Sequence, residues 1–168
     1  MNCFGCLLLV IYAATSWAQT STAPKRREAE YYVAAYAQHY RVPVPLVRAV
    51  VERESNWRPC AISPKGAAGL MQLMPTTARK LRVSDRCNID QNVSGGVRYL
   101  AWLLRKFHGD SRLASAAYYA GEDIVSRRGL AYRNRDVVAY VSRIRATYLR
   151  FTQEKTEILE TNQKRDIR

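Results

Sequence analysis

The stretch Pro45-Leu46-Val47-Arg48-Ala49-Val50-Val51-Glu52-Arg53-Glu54-Ser55 decides how this chain is read. Pro45 suits the first turn of a helix, where its missing N–H is not needed. Val50, Val51 and Glu54 follow Val47 by three, four and seven residues, so the four share one helical face. Glu52 projects roughly opposite, with Arg48 one turn earlier, as a solvated ion pair would. A carboxylate that ends an apolar stripe is partly desolvated, which raises its pKa and favours the protonated form. That is the state a general acid needs. The same spacing also fits a helix-end Glu bonded to a nearby backbone or Arg group, and the pattern alone leaves both open.

Helical periodicity continues on either side. From about Arg27 to Tyr40, Tyr31, Tyr32, Ala35, Tyr36 and His39 recur at helical spacing. Val42-Pro43-Val44-Pro45 separates that helix from the next. Trp57 to Ala68 holds two Pro and one Gly and reads as an extended loop. Pro75-Thr76-Thr77 opens a short helix through Leu81. Val93, Val97, Leu100, Leu104 and Phe107 form an apolar stripe that His108-Gly109 ends. Asp110 is placed to cap a helix from Ser111 to Ala120, with Gly121 as its terminator. An Arg-rich loop is expected from Ser126 to Arg135. Val137, Tyr140, Val141, Ile144 and Tyr148 then mark a last long helix. Residues 152–168 are polar and of mixed charge, a tail expected to fray. No strand or repeat signal competes, so the fold class is all-α, a single domain over residues 26–151 with long loops suited to function.

Length and composition agree with this. The 168 residues suit one compact domain, and 48% hydrophobic with 24% charged residues is a globular composition. The net charge of +13 favours an anionic partner: nucleic acid, an acidic membrane surface, or a wall polymer bearing carboxylates. The apolar run Cys3 to Ala14 is shorter than the about 20 residues a spanning helix needs. Ser16-Trp17-Ala18 follows it with small residues where a signal peptidase reads. Residues 1–18 are therefore expected to be a signal peptide, followed by a tether at 19–25. A buried N-terminal helix and a retained anchor are the competing readings. After cleavage no stable transmembrane segment is expected. Cys3 and Cys6 lie in the segment expected to be removed. Cys60 and Cys87 remain, an even pair in an exported chain whose two His (His39 and His108) cannot complete a metal cluster. We expect a Cys60–Cys87 disulfide, no metal and no cofactor.

The residues around Glu54 carry a resemblance. Glu54-Ser55-Asn56-Trp57, then Ser63-Pro64-Lys65-Gly66-Ala67-Ala68-Gly69-Leu70-Met71-Gln72-Leu73-Met74-Pro75, resembles the catalytic core of soluble lytic transglycosylases. Asn92-Val93-Ser94-Gly95-Gly96-Val97-Arg98-Tyr99-Leu100, Ala117-Tyr118-Tyr119-Ala120-Gly121 and Tyr140-Val141-Ser142-Arg143-Ile144 continue it in the family's order and spacing. The match runs over about residues 40–148. It implies a lysozyme-like, goose-type helical fold and one catalytic Glu, matching Glu54. In the family this acid protonates the bridging oxygen after N-acetylmuramic acid, then takes the proton of that sugar's 6-hydroxyl as it attacks C1. A 1,6-anhydro ring results. One carboxylate is enough because the nucleophile is intramolecular. By the same resemblance Ser55 orients the acid and the Tyr140 hydroxyl approaches it. Gly69, Leu70, Met71 and Gln72 line the glycan groove, with Gly69 allowing close backbone approach and Met71 an apolar floor. Tyr118, Tyr119 and Ala120 complete the substrate-binding set. For Met71, Tyr118 and Tyr140 a core role competes. Tyr119 departs from the family's usual Asn, Glu122 from a common Pro, and Asp136-Val137 from the usual Glu-Thr.

The resemblance thus implies an enzyme acting on peptidoglycan glycan strands, exported to the periplasm or cell envelope, as a monomer. Service to a secretion or conjugation apparatus is an analogy with small members of the family. Glu122 and Asp123 keep a water-using muramidase in view, and a non-catalytic wall-binding scaffold is the second class. Arg127, Arg128, Arg133, Arg135, Arg143 and Arg145 suggest nucleic acid, but an exported chain meets an anionic wall instead, so no nucleic-acid partner is expected.

Overall fold

The fold is that of a computed structural model, which describes residues 22–129 and 134–166. The expected signal segment, with Cys3 and Cys6, lies outside the described residues, as do Arg133 and the end of the tail. Seven helices are described: α1 (Thr22–Tyr40), α2 (Val44–Ser55), α3 (Pro75–Lys80), α4 (Ile89–Lys106), α5 (Ser111–Ala120), α6 (Glu122–Arg128) and α7 (Arg135–Asp166). Among the described residues extended pairing is limited to isolated bridges of Ala68 with Ile62 and Leu73. No described helix is long and apolar enough to cross a membrane.

α4 is the central element, with α1 and α5 packed on it, while α2 and α5 pack on α7. The main core joins Val47, Val50 and Val51 of α2 to Leu70, Met71, Val93, Val97, Leu100 and Tyr140. The N-cap of α5 forms as its sequence predicts: the Asp110 carboxylate accepts from the N–H groups of Arg112 and Leu113.

Four expectations are corrected. α1 starts at Thr22, inside the stretch expected as a tether, because Lys, Arg, Glu and Ala from residue 25 onward are good helix formers. Its core face is Ala29, Val33 and Ala37, all fully buried, while Tyr31 is 69% exposed. The small residues let the backbones approach, and Tyr32, Tyr36 and Tyr40 flank them as a stacked ladder. α6 covers the first three residues of the expected Arg-rich loop, Ser126 to Arg128, and begins before it at Glu122. Glu122 and Asp123 in its first turn and Arg127 and Arg128 in its last complement the helix dipole, and buried Val125 anchors it. α7 continues through Phe151 to Asp166, so the described part of the expected tail is helical. Phe151 is 3% exposed and Arg150 pairs with Glu154 one turn on. Lastly, Arg48 and Glu52 do not pair with each other. Arg48 meets Glu30 of α1 at 3.2 Å and lies over the Phe151 ring, while Glu52 accepts from Arg150 at 2.6 Å. Both charges thus join α2 to its neighbours.

Cys60 and Cys87 are joined in a disulfide, tying the loop after α2 to the loop before α4. Cross-linking across 27 residues removes chain entropy from the unfolded state. Reduction should therefore lower the unfolding free energy by about 3–4 kcal/mol. Peptide mapping after thiol labelling should find Cys60 and Cys87 unlabelled in protein made in an oxidising compartment. Quantitative labelling of both in folded protein would contradict the bond.

Candidate active site

Glu54 sits in the last turn of α2, and the chain then leaves sharply through left-handed Asn56 (φ 49°) and Trp57 (φ 62°). The three valines on its face are fully buried, and the carboxylate is partly buried at the end of their stripe. Tyr140 arrives from α7, 86 residues later, and its hydroxyl donates to Glu54 Oε1 at 2.5 Å. Burial raises the Glu54 pKa; the Tyr140 hydrogen bond and the Arg53 charge oppose it in part. Tyr140 is itself 2% exposed, and burial together with the Glu54 charge pushes its pKa well up, so it remains a hydroxyl donor. The partner of Glu54 is thus a distant tyrosine, not the nearby backbone or Arg group that the bland reading offered.

Ser55 does not reach the acid. Its hydroxyl is buried and donates to the Val51 carbonyl, 3.1 Å away, one turn back on α2. Leu70 and Met71 are fully buried and belong to the core, not to an open floor. A Cβ on Gly69 would stand 2.1 Å from both the Arg86 carbonyl and Asn92 Nδ2. The close approach that requires glycine there (φ 87°) is therefore internal, made to α4 and the loop before it, rather than to a ligand. Gln72 donates its amide to the carbonyls of Ala61 and Gly69.

Asn92 organises the 68–72 segment, although its motif gave no hint of the role. Fully buried, it accepts from the Met71 N–H at 2.8 Å and donates to the carbonyls of Ala68 at 3.0 Å and Arg86 at 2.9 Å. From the other side the Tyr118 hydroxyl donates to the Met71 carbonyl at 2.8 Å. Both polar groups of the Met71 peptide are thereby held. Tyr119, 46% exposed, stacks on the Tyr140 ring at 4.7 Å and covers the residue that holds Glu54. Ala120 is partly buried beside it. Glu122 accepts from the Tyr99 hydroxyl at 3.0 Å, and a hydrogen bond from its own backbone N–H leads the causes that lower its pKa.

Glu54 opens on a groove of about 510 Å³ that is also lined by Arg53, Arg58, Arg143 and Thr147, with Glu52, paired to Arg150, at its border. Arg58 was missed at this site because its only sequence signal was membership of a strongly basic chain, whereas Arg143 lies in the motif that begins at Tyr140. Among the described residues no group of His, Cys, Asp and Glu is placed to hold a metal ion.

A mainly helical domain with one partly buried acid at the end of a core helix, facing a cationic groove, has the lysozyme-like architecture. Residues 31–140 match the Transglycosylase SLT domain, and the chain belongs to that family. It is 44% identical over 59 residues to membrane-bound lytic murein transglycosylase F of Haemophilus influenzae (strain PittEE), covering 35% of this chain and 12% of that protein. The same protein of Pasteurella multocida (strain Pm70) is 38% identical over 82 residues, 45% of this chain and 17% of the other. The chain thus spans under a fifth of the length of these relatives. In structure it resembles an inactive Glu-to-Gln mutant of lytic transglycosylase Slt from Pseudomonas aeruginosa. There the TM-score is 0.67 at 25% identity, over 75% of this chain and 24% of that one. The 70-kDa soluble lytic transglycosylase of Escherichia coli gives a TM-score of 0.64 at 26% identity, over 73% and 24%.

Proposed function

We propose that this protein is a peptidoglycan lytic transglycosylase with Glu54 as its single acid/base. The observation that carries the reading is the partly buried Glu54 carboxyl, its pKa raised by burial, held by Tyr140 at the mouth of an open groove. A protonated Glu54 delivers its proton to the bridging oxygen as the bond between C1 of N-acetylmuramic acid and O4 of N-acetylglucosamine breaks. The resulting carboxylate takes the proton of the muramyl 6-hydroxyl while that oxygen bonds to C1. The proton count closes, no water is consumed, and Glu54 is restored. Tyr140 orients the carboxyl through both steps. Tyr118 and Asn92 hold the 68–72 segment, and Tyr119 and Ala120 face the glycan. The Pseudomonas relative, described as inactive once a Glu becomes Gln, supports assigning the chemistry to a carboxyl.

The deciding experiment is mass spectrometry of a digest of purified peptidoglycan. The expected products carry 1,6-anhydromuramyl ends, each lighter by one water than a hydrolysed end. Reducing ends alone would mean a water-using muramidase, with ionised Glu122 the second carboxylate to test. We assign an exported, cell-envelope location, and by analogy a role in opening the wall locally for a secretion or conjugation apparatus.

Tyr140→Phe provides a separate test of the geometry. It removes only the hydroxyl, so turnover should fall by roughly tenfold or more with the fold intact. The pH profile should also move. A general acid works protonated, so activity falls as pH rises through the raised Glu54 pKa. The Tyr140 hydrogen bond favours the carboxylate. Losing it should displace that alkaline limb to still higher pH. An unchanged rate and limb would make Tyr140 a core residue only.

A further inference from the structure

The last turn of α5 carries two adjacent tyrosines that serve different segments. Successive residues of a helix diverge by about 100°. Tyr118 sends its hydroxyl to the Met71 carbonyl, whereas Tyr119 lays its ring on the ring of Tyr140. The two ring centroids are 4.7 Å apart and the planes lie at 28°, within the range of offset-stacked aromatic pairs.

Tyr140 is 2% exposed, although its hydroxyl ends on a carboxyl that lines an open groove. Tyr119, 46% exposed, is the outer ring of the pair. A tyrosine hydroxyl swings with two side-chain torsions, and a second ring stacked on its face restricts that swing. Arg53 offers the Tyr140 ring only a distant cation, 5.6 Å from its centroid. The Asn usual at position 119 in the family has no ring to stack, so it cannot make this contact. We propose that Tyr119 is a positioning residue for the reaction: by fixing the Tyr140 ring, it keeps the Tyr140 hydroxyl on Glu54 before the glycan arrives. The proposal rests on the reading of Glu54 as the acid. It gives Tyr119 an effect on rate through Tyr140, beyond facing the glycan.

The test is an NMR pH titration of isotope-labelled glutamate carboxyls in the free protein, with Glu54→Gln identifying the Glu54 resonance. The charged and titratable groups around Glu54 are Glu52 and Arg53 on its own helix, Arg58 in the following loop, Tyr118 on α5, and Tyr140 and Arg143 on α7. Tyr119→Leu alters none of them. The Tyr140 hydrogen bond favours the carboxylate, so loosening it should raise the Glu54 midpoint, in the direction expected of Tyr140→Phe. In the Tyr140→Phe background Tyr119→Leu should add nothing, and Tyr119→Phe should keep the wild-type midpoint. On soluble glycan strands, Tyr119→Leu should lower kcat about three- to tenfold, with no further loss in the double variant. An unmoved or lowered midpoint, or an equal shift with and without the Tyr140 hydroxyl, would overturn the proposal. So would a loss confined to KM, which would make Tyr119 a direct contact for the sugar. The titration needs no substrate, so a digest without 1,6-anhydromuramyl ends would count against the lytic reading alone.

Discussion

Replacing Glu54 by Gln should reduce peptidoglycan cleavage by at least about 100-fold, the usual scale of general acid–base catalysis. The amide keeps the shape and one accepting oxygen for the Tyr140 hydroxyl, but has no proton to give the leaving oxygen. Glu52→Gln should stay within a few-fold of wild type, since that carboxylate is held by Arg150 in an exposed pair worth about 0–1 kcal/mol. The same Glu54 substitution should stabilise the fold at neutral pH. Because burial raises the Glu54 pKa in the folded state above its ordinary 4.5, the wild type loses stability as pH rises from 4.5 through that raised value. The Gln variant has no such loss. Its melting temperature should exceed that of wild type at pH 7, and the gap should close below pH 4.5. Equal loss of activity from both Glu variants, with folding intact, would remove Glu54 from its special role.

Asn92→Ala should be the most damaging substitution for the fold. It leaves the Met71 N–H and the Ala68 and Arg86 carbonyls without their partner in a site closed to water. Each unsatisfied group costs about 1–3 kcal/mol, so a loss of at least about 3 kcal/mol is expected, a large share of a typical domain's stability. Asn92→Asp separates hydrogen bonding from packing. A carboxylate still accepts from Met71 but opposes two carbonyl oxygens, so this variant should be destabilised at pH 7. Protonation restores one donor, and urea unfolding should show its deficit relative to wild type shrinking as pH falls. Wild-type stability for either variant would show that the 68–72 segment does not depend on this side chain.

The helices of this protein are legible because their signals are local. Pro45 stands in the first turn of α2, Asp110 and Gly121 bound α5, and the valines of α2 and α4 repeat at helical spacing. Tyrosines mislead on α1, since hydrophobicity alone does not say whether large rings or small Ala and Val residues meet the next helix. The Arg-rich stretch around 126 hid α6 for a related reason: its stability comes from dipole-matched charge and one buried Val125, too little for a periodic signal.

By itself the sequence determined that α2 would carry one carboxylate on its apolar face, because residues three, four and seven apart must share a side of any helix. It also determined the family, through motifs kept in order. The resemblance pointed to Tyr140 as the partner of that carboxylate, and tertiary structure supplies the contact itself, bringing Tyr140 across 86 residues to Glu54 at 2.5 Å. Tertiary structure likewise turned Ser55 back onto its own helix, put Leu70 and Met71 inside, and made Asn92 the hub that holds the 68–72 segment. The physical reason is common to all four. Burial and hydrogen-bond pairing depend on which surfaces meet when helices pack, and a buried polar group takes whatever partner that packing supplies.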